Sequence, residues 1–414
     1  MIIKTPATNH LTNIFAMALS TKARFMQTDN PLRPFHDQSE ATFLNYGPGG
    51  EGGAIEVVEM YQEYEAEYAA IRKGVGIFDM PQRGLIELRN SDRLDFLHRM
   101  VTQNLNRLKP GEGQRTFLLD RTGRINADLI ILHNQDCTLG GLDVFQAHSV
   151  AEHLDTLLFS EDVRIDPAST NYHHLALHGP ESTTLLNKVA EDNLPCLETL
   201  DHCSLSIQGK SIIVYRQDDT GSLGLHLIVP VGHVVSVYQE LMSAISWNPQ
   251  QQEDEYARAK RRSRPIGWLA YNTARIEAGV PLYHVDFGPD SLPHETGPVM
   301  IKRAVSFTKG CYVGQEIVAR MQNLGHPKKL LVKLEMADDR QPIGGAQIFA
   351  ADQGHSSEVI GAVTSSTISP LRGNVAVAIA MIKWGKHEPG TIVSVPAEGQ
   401  MVTAVVETLG KDPL

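Results

Sequence analysis

Cysteine is scarce in this chain. The 414 residues contain four, Cys137, Cys196, Cys203 and Cys311, with no C-x-x-C pair and no zinc-type spacing. A structural metal site or a chain-borne iron–sulfur cluster needs about four soft ligands, so both are excluded and no metal is expected. So few cysteines fit a reducing compartment, and a cytoplasmic location is the expectation. Long apolar runs are missing too. None approaches 18 residues, so no segment reads as a membrane span and no membrane partner is expected. Net positive charge is also lacking: at −11 the chain does not attract a phosphate backbone, and nucleic acid is excluded as its main partner. Acidic residues are absent before Asp29. That faintly resembles a transit peptide, but "IFAMAL" is too short for a secretory signal, and an ordinary disordered arm is the expectation. No internal repeat or low-complexity segment appears.

What is present is ordinary globular material, long enough for about two to three domains at roughly 150 residues each. Residues 1–53 are polar and end in "YGPGGEGGA", which reads as a flexible N-terminal extension. Tyr61, Tyr64, Tyr68, Ile71 and Val75 then follow helical spacing, stopped by Gly74 and Gly76. Ser91 is placed to cap a helix over "DRLDFLHRMVTQNL". In "QRTFLLDRTGRINADLIIL" two alternating runs flank Asp120-Arg121-Thr122-Gly123, which predicts a β-hairpin. On its second strand Asn126 and Asp128 share one face, and Ile125, Ala127 and Leu129 share the other. The basic run "RAKRRSR" at 258–264 reads as a solvated face more readily than as an anion site. From Lys328 six short strand-like runs follow, "KKLLVKLEM", "AQIFA", "VIGAVTSSTIS", "NVAVAIAMI", "TIVSV" and "MVTAVVETL". They predict a small all-β barrel over 328–414. The fold class is α+β over 54–327, followed by a β-barrel.

One stretch stands apart. "FTKGCYVGQE", 307–316, sets Cys311 between glycines, two residues from Lys309, with a helix opening near Gln315. A lone cysteine most often packs as a small hydrophobe. Positive charge and a helix N-terminus both favour thiolate, which makes Cys311 a candidate nucleophile, transient metal ligand or redox handle.

Several segments resemble the folate-binding proteins of the glycine cleavage T-protein (aminomethyltransferase) family. "YEAEYAAIRKGVGIFDMPQRGLIEL" is similar to the family's N-terminal helix–strand segment, "GRINADL" to its hairpin, "LALHGPES" to a central strand and "IGAVTSSTISPLRGNVAVA" to its barrel. "VSFTKGCYVGQEIVARM" resembles the YgfZ-type branch, which supports iron–sulfur enzymes and depends on folate. The resemblance implies a three-lobed ring of two interleaved α+β lobes and a six-stranded barrel. It also implies tetrahydrofolate, or a one-carbon derivative, in the central channel. Asp128 falls where the T-protein carries its catalytic carboxylate. Two other positions depart from the pattern. His226, in "TGSLGLH", stands where a pterin-contacting glutamate would be. Tyr271, in "IGWLAYNTARIE", stands where a folate-contacting arginine would be.

For each candidate an ordinary structural role competes with the functional one. Asp128 can be a solvated hairpin aspartate or a carboxylate that takes a proton from an amine. Asn126 is its hydrogen-bonding neighbour on the same face. His226 can be a wall histidine or a ligand contact, and Tyr271 a core aromatic or a stacking partner for a pterin. The expected catalytic set is therefore Asp128, Cys311 and Lys309, and the folate-binding set Asn126, Asp128, His226 and Tyr271. The leading expectation is a monomeric, tetrahydrofolate-binding protein that assists assembly or repair of iron–sulfur enzymes, with those enzymes or their assembly proteins as partners. The alternative is a folate-dependent aminomethyltransferase, and a structural adaptor that no longer binds folate is the fallback.

Overall fold

The computed structural model describes residues 30–47, 53–245, 262–351 and 358–410. The arm before Asn30, and residues 258–261 of the basic run, lie outside them. Residues 30–47, assigned above to a flexible extension, are instead built into the fold. Pro34 starts α1 (Arg33–Gln38), and β1 (Thr42–Tyr46) pairs antiparallel with β2 (Ile55–Met60). A buried polar hub ties this segment down. Asn30 Nδ2 and His36 Nε2 lie 2.6 and 2.8 Å from Asp79 Oδ2, and His173 Nε2 lies 2.5 Å from Oδ1. The polar composition that read as loop was hiding the partners of a buried carboxylate.

The chain then weaves between two sheets. After α2 (Tyr64–Lys73), which ends at Gly74 where the glycines predicted a stop, β3 (Gly76–Asp79) enters a six-stranded sheet. It leaves at once to build a second sheet from β4 (Arg83–Arg89), α3 (Arg93–Met100), β5 (Gly113–Leu119), β6 (Ile125–His133), β7 (Cys137–Asp143), α4 (Val144–Asp155) and β8 (Arg164–Pro167). That sheet runs in the order β5-β6-β7-β4-β8, antiparallel throughout. The chain returns through β9 (Tyr172–His178), α5 (Ser182–Val189), β10 (His202–Ile207), β11 (Lys210–Arg216), β12 (Gly224–Pro230), α6 (Val234–Ile245) and β13 (Arg264–Ile266). The six-stranded order is β10-β11-β12-β9-β3-β13, with β13 parallel to β3. Interleaving sets the two sheets side by side and leaves a space between them for a site.

α3 is shorter than its pattern predicted. Val101 turns extended and bridges Leu118, while Thr102 N–H donates to Phe117 O, so the chain joins the edge of β5 and the helix stops. Ser91 does not cap it; its hydroxyl bonds Asp162 instead. The hairpin turn forms as read. Gly123 has φ +75°, its N–H donates to Asp120 O at 3.0 Å, and the Asp120 carboxylate collects the amides of Thr122 and Arg124.

α7 (Trp268–Glu277), α8 (Pro298–Ala304) and α9 (Gln315–Leu324) lead to the barrel. Its strands are β14 (Lys329–Met336), β15 (Gln347–Ala350), β16 (Val359–Ser369), β17 (Val375–Lys383), β18 (Ile392–Ala397) and β19 (Gln400–Glu407), closed in the order β14-β17-β16-β15-β18-β19. The six runs seen in the sequence are these six strands. Closure removes the exposed edges, and Val332, Leu334, Ile348, Ala378 and Val395 fill the interior. α7 joins barrel to lobes. Its Tyr271 stacks on Phe78 with ring centroids 4.8 Å apart, while Thr273 and Thr367 share a 2.7 Å hydroxyl contact.

Candidate active site

The alternation of β6 decides where its polar residues go. Ile125, Ala127 and Leu129 are buried in the core, so Asp128 points to the other side, into a cavity between the two sheets. The neighbouring strand supplies its partner. Arg115 on β5 grips Asp128 with two parallel bonds, Nε to Oδ1 at 2.9 Å and a terminal nitrogen to Oδ2. Burial opposes the charge on Arg115, and Asp128 beside it keeps the guanidinium pKa above its ordinary value. Bidentate pairing holds the carboxylate plane in one orientation.

The opposite wall comes from the turn between β11 and β12. Asp219 accepts from Gln217 Nε2 at 2.6 Å, and its other oxygen lies 3.4 Å from His226 Nε2 and 3.5 Å from Tyr271 Oη. Burial pushes the Asp219 carboxyl up. His226 and Gln217 outweigh it and hold the group below the usual carboxylate range. His226 stacks on its cross-strand partner Tyr215 with centroids 4.9 Å apart, and meets the His178 ring edge-on. Burial drives His178 down to about 3, which leaves it neutral. Arg83, at the start of β4, lies within electrostatic reach of Asp128 and Asp219 alike. Tyr46 bonds Asp143, which also caps α4 through Phe145 N–H at 2.9 Å.

Asp128, His226 and Tyr271, far apart in sequence, therefore line one cavity. Asn126 does not line it with them. Its carbonyl accepts from Gln146 Nε2 and Tyr283 Oη, and through Tyr283 it braces the cavity wall. Cys311 and Lys309 are not lining residues either. The Lys309 ammonium is inserted among the carbonyls of His98, Val101 and Gln103, where it closes the end of α3. Burial lowers its pKa to about 8. Cys311 is exposed, while its neighbour Tyr312 is buried as the loop's anchor. The loop ends on Gly314 at φ +80°, where a Cβ would come within 2.7 Å of Asp120 O, so the Cys311 loop docks on the turn of the hairpin that carries Asp128.

Arg83, Arg115, Asp143 and Asp219 escaped the sequence reading. Arg115 had a visible signal, the one ionisable side chain on the first strand of the predicted hairpin. Asp219 had none, because "DDTG" reads as an ordinary turn.

Opposed guanidinium and carboxylate groups and aromatic rings thus line one polar cavity between two α+β lobes. The comparisons narrow the class. Residues 23–309 match the GCVT N-terminal domain and residues 329–409 match the glycine cleavage T-protein C-terminal barrel domain. The chain belongs to the glycine cleavage T-protein family. It is 27% identical over 385 residues to the aminomethyltransferase of Chlorobium chlorochromatii, covering 91% of this chain and 96% of that one. It is 27% identical over 360 residues to the aminomethyltransferase of Bacillus subtilis, covering 86% and 92%. Its fold is similar to the crystal structure of glycine cleavage system aminomethyltransferase T from Bartonella henselae, with a TM-score of 0.76 and 22% identity over 92% of this chain and 96% of that one.

Proposed function

We propose that this chain is a folate-dependent one-carbon transferase of the aminomethyltransferase kind, the alternative of the sequence reading. The observation that carries it is Asp128, held by Arg115 and turned into the cavity rather than to solvent. The naming of the relatives favours this reading over the iron–sulfur one.

The cavity fits a tetrahydrofolate in its chemistry. Gln217 Oε1 and Gln82 Oε1 are buried and lack partners, and Trp268 and Tyr271 offer aromatic faces. The free volume between these side chains is about 60 Å³. Ligand pockets begin at roughly 300 Å³, so a ring enters by parting the groups that face one another. Tetrahydrofolate, when bound, supplies the nitrogen that accepts the one-carbon unit. Asp128 takes a proton from an amine at that point or steadies the cationic carbon beside it, and Arg115 fixes the direction in which its lone pairs point. Tyr46, Asp143 and Tyr283 line the same cavity.

Tetrahydrofolate-dependent release of ammonia from an aminomethyl-lipoyl carrier protein, assayed with several carriers, is the test. Turnover that drops about 10²-fold or more in Asp128→Asn supports the transferase. Turnover indifferent to that substitution removes it.

A second reading keeps the iron–sulfur role, carried by the exposed Cys311 at the end of a docked loop. In it Cys311→Ser loses support of iron–sulfur enzymes while one-carbon transfer is unchanged. A fully competent Cys311→Ser leaves the cysteine without a function.

A further inference from the structure

A second cavity adjoins the first, and the two share Met80 and Arg83. Its free volume is about 230 Å³. Phe43, Ile55 and Val144 give it an apolar side. Two of its charged residues, Arg33 and Glu56, are bonded to each other, and His173 is bonded to Asp79. His174 is different. It is 3% exposed, yet neither of its ring nitrogens has a hydrogen-bond partner. Leaving a buried polar atom unpaired costs about 1–3 kcal/mol, so two on one ring at a cavity wall mark a place completed by a ligand.

Arg83 supplies the charge beside it. The guanidinium lies within electrostatic reach of His174 as well as of Asp128 and Asp219. Its hydrogen bond goes to the hydroxyl of Tyr215, which burial keeps neutral, and among the described residues it has no ion-pair partner. A buried cation is ordinarily paired with an anion. Burial, with Arg83 nearby, drives the His174 pKa well below the ordinary histidine value, so the ring is neutral and offers one donor and one acceptor. A guanidinium, an imidazole N–H and an apolar wall around so small a space suit an aliphatic carboxylate of a few carbons. Its oxygens take the two donors, and its hydrocarbon end lies against Phe43, Ile55 and Val144.

We propose that this second cavity is a binding site for a short aliphatic carboxylate, held between Arg83 and His174 and separate from the cavity that faces Asp128. Neither side chain is used by the one-carbon chemistry, and the site stands whether or not the first cavity holds folate. Because Arg83 borders both cavities, a carboxylate bound here also offsets a charge that Asp128 and Asp219 feel.

The test is calorimetric titration of the full chain with butanoate, its neutral counterpart butanamide and inorganic phosphate. The wild-type chain should bind butanoate about tenfold or more tightly than either. Arg83→Met removes the charge and His174→Phe removes the ring donor; each should weaken butanoate about tenfold or more. His174→Phe should leave tetrahydrofolate affinity as in wild type. Butanoate bound no better than butanamide or phosphate, or as tightly by either variant as by wild type, overturns the proposal and leaves the folate reading standing. A parallel loss of tetrahydrofolate in His174→Phe merges the two cavities and overturns it too. Wild type that binds butanoate but not tetrahydrofolate overturns the folate reading alone. Should Arg83→Met fail to fold, His174→Phe and the preference for acid over amide still decide.

Discussion

Asp128 and Lys309 look alike on paper, each a charged residue in a recognisable motif, and their surroundings give them opposite work. Asp128 has one partner and a cavity in front of it. Asp128→Asn keeps the shape and loses the proton acceptor, so its effect should fall on turnover and only weakly on folate affinity; comparing kcat and Kd between the two proteins checks this. Lys309 has three carbonyl partners and no cavity. Lys309→Met leaves those carbonyls buried and unpaired and should cost about 2 kcal/mol of stability, read by urea denaturation, without changing the alkylation rate of Cys311. An unchanged midpoint would show that the carbonyls find water instead. Both residues were legible as candidates. What each does depended on where the ammonium and the carboxylate ended up pointing, which a motif does not encode.

Between elements, one carboxylate fastens two segments 200 residues apart. Glu67 on α2 accepts the amide of Tyr61 at 2.6 Å and that of Gly267, just before α7, at 2.7 Å. Burial raises its pKa from the ordinary 4.5 to about 7, against the pull of those two amides. Between those values the folded protein holds a proton that the unfolded chain has released. Its contribution to stability is therefore complete below about pH 4.5 and is lost as pH rises through 7. The melting temperature should fall across that window, and Glu67→Gln should flatten the fall; equal slopes in the two proteins would refute it. The elements themselves were read well where their periodicity was clean. Strands β18 and β19 of the barrel and the first half of β6 alternate, and α2 is bounded by glycine. The misreadings at α3 and residues 30–47 share a cause. There a tertiary partner, the edge of β5 or the buried Asp79, overrode the local pattern.

At the scale of the molecule, barrel and lobes meet through a buried ionic knot. Arg275 and Asp286 are paired at 2.5 Å with side chains wholly buried, and Asp286 also takes the hydroxyls of Thr364 at 2.6 Å and Ser365 at 2.5 Å on the barrel. Asp286→Ala strands the Arg275 charge and should cost about 3–5 kcal/mol, seen by calorimetry as a lower or split melting transition. A transition unchanged in position and shape would mean that the barrel is held by its apolar contacts alone. Tetrahydrofolate at a hundredfold excess over its Kd should add about 2.7 kcal/mol to the folded state and raise the melting temperature, whereas unmoved melting curves at saturation would favour the adaptor reading. Among the described residues the barrel contributes no side chain to the cavity; two lobes wall it and the third braces α7. The sequence by itself determined the barrel, the hairpin and the face on which Asp128 lies, because strand alternation is a local property set by which side must meet the core. Only the tertiary structure decided that Arg115 would face Asp128, that Asp219 would face His226 and that Lys309 would turn away from Cys311. Those pairings join residues on different strands and loops, and their geometry exists only once the strands are in register and the turns between them have closed.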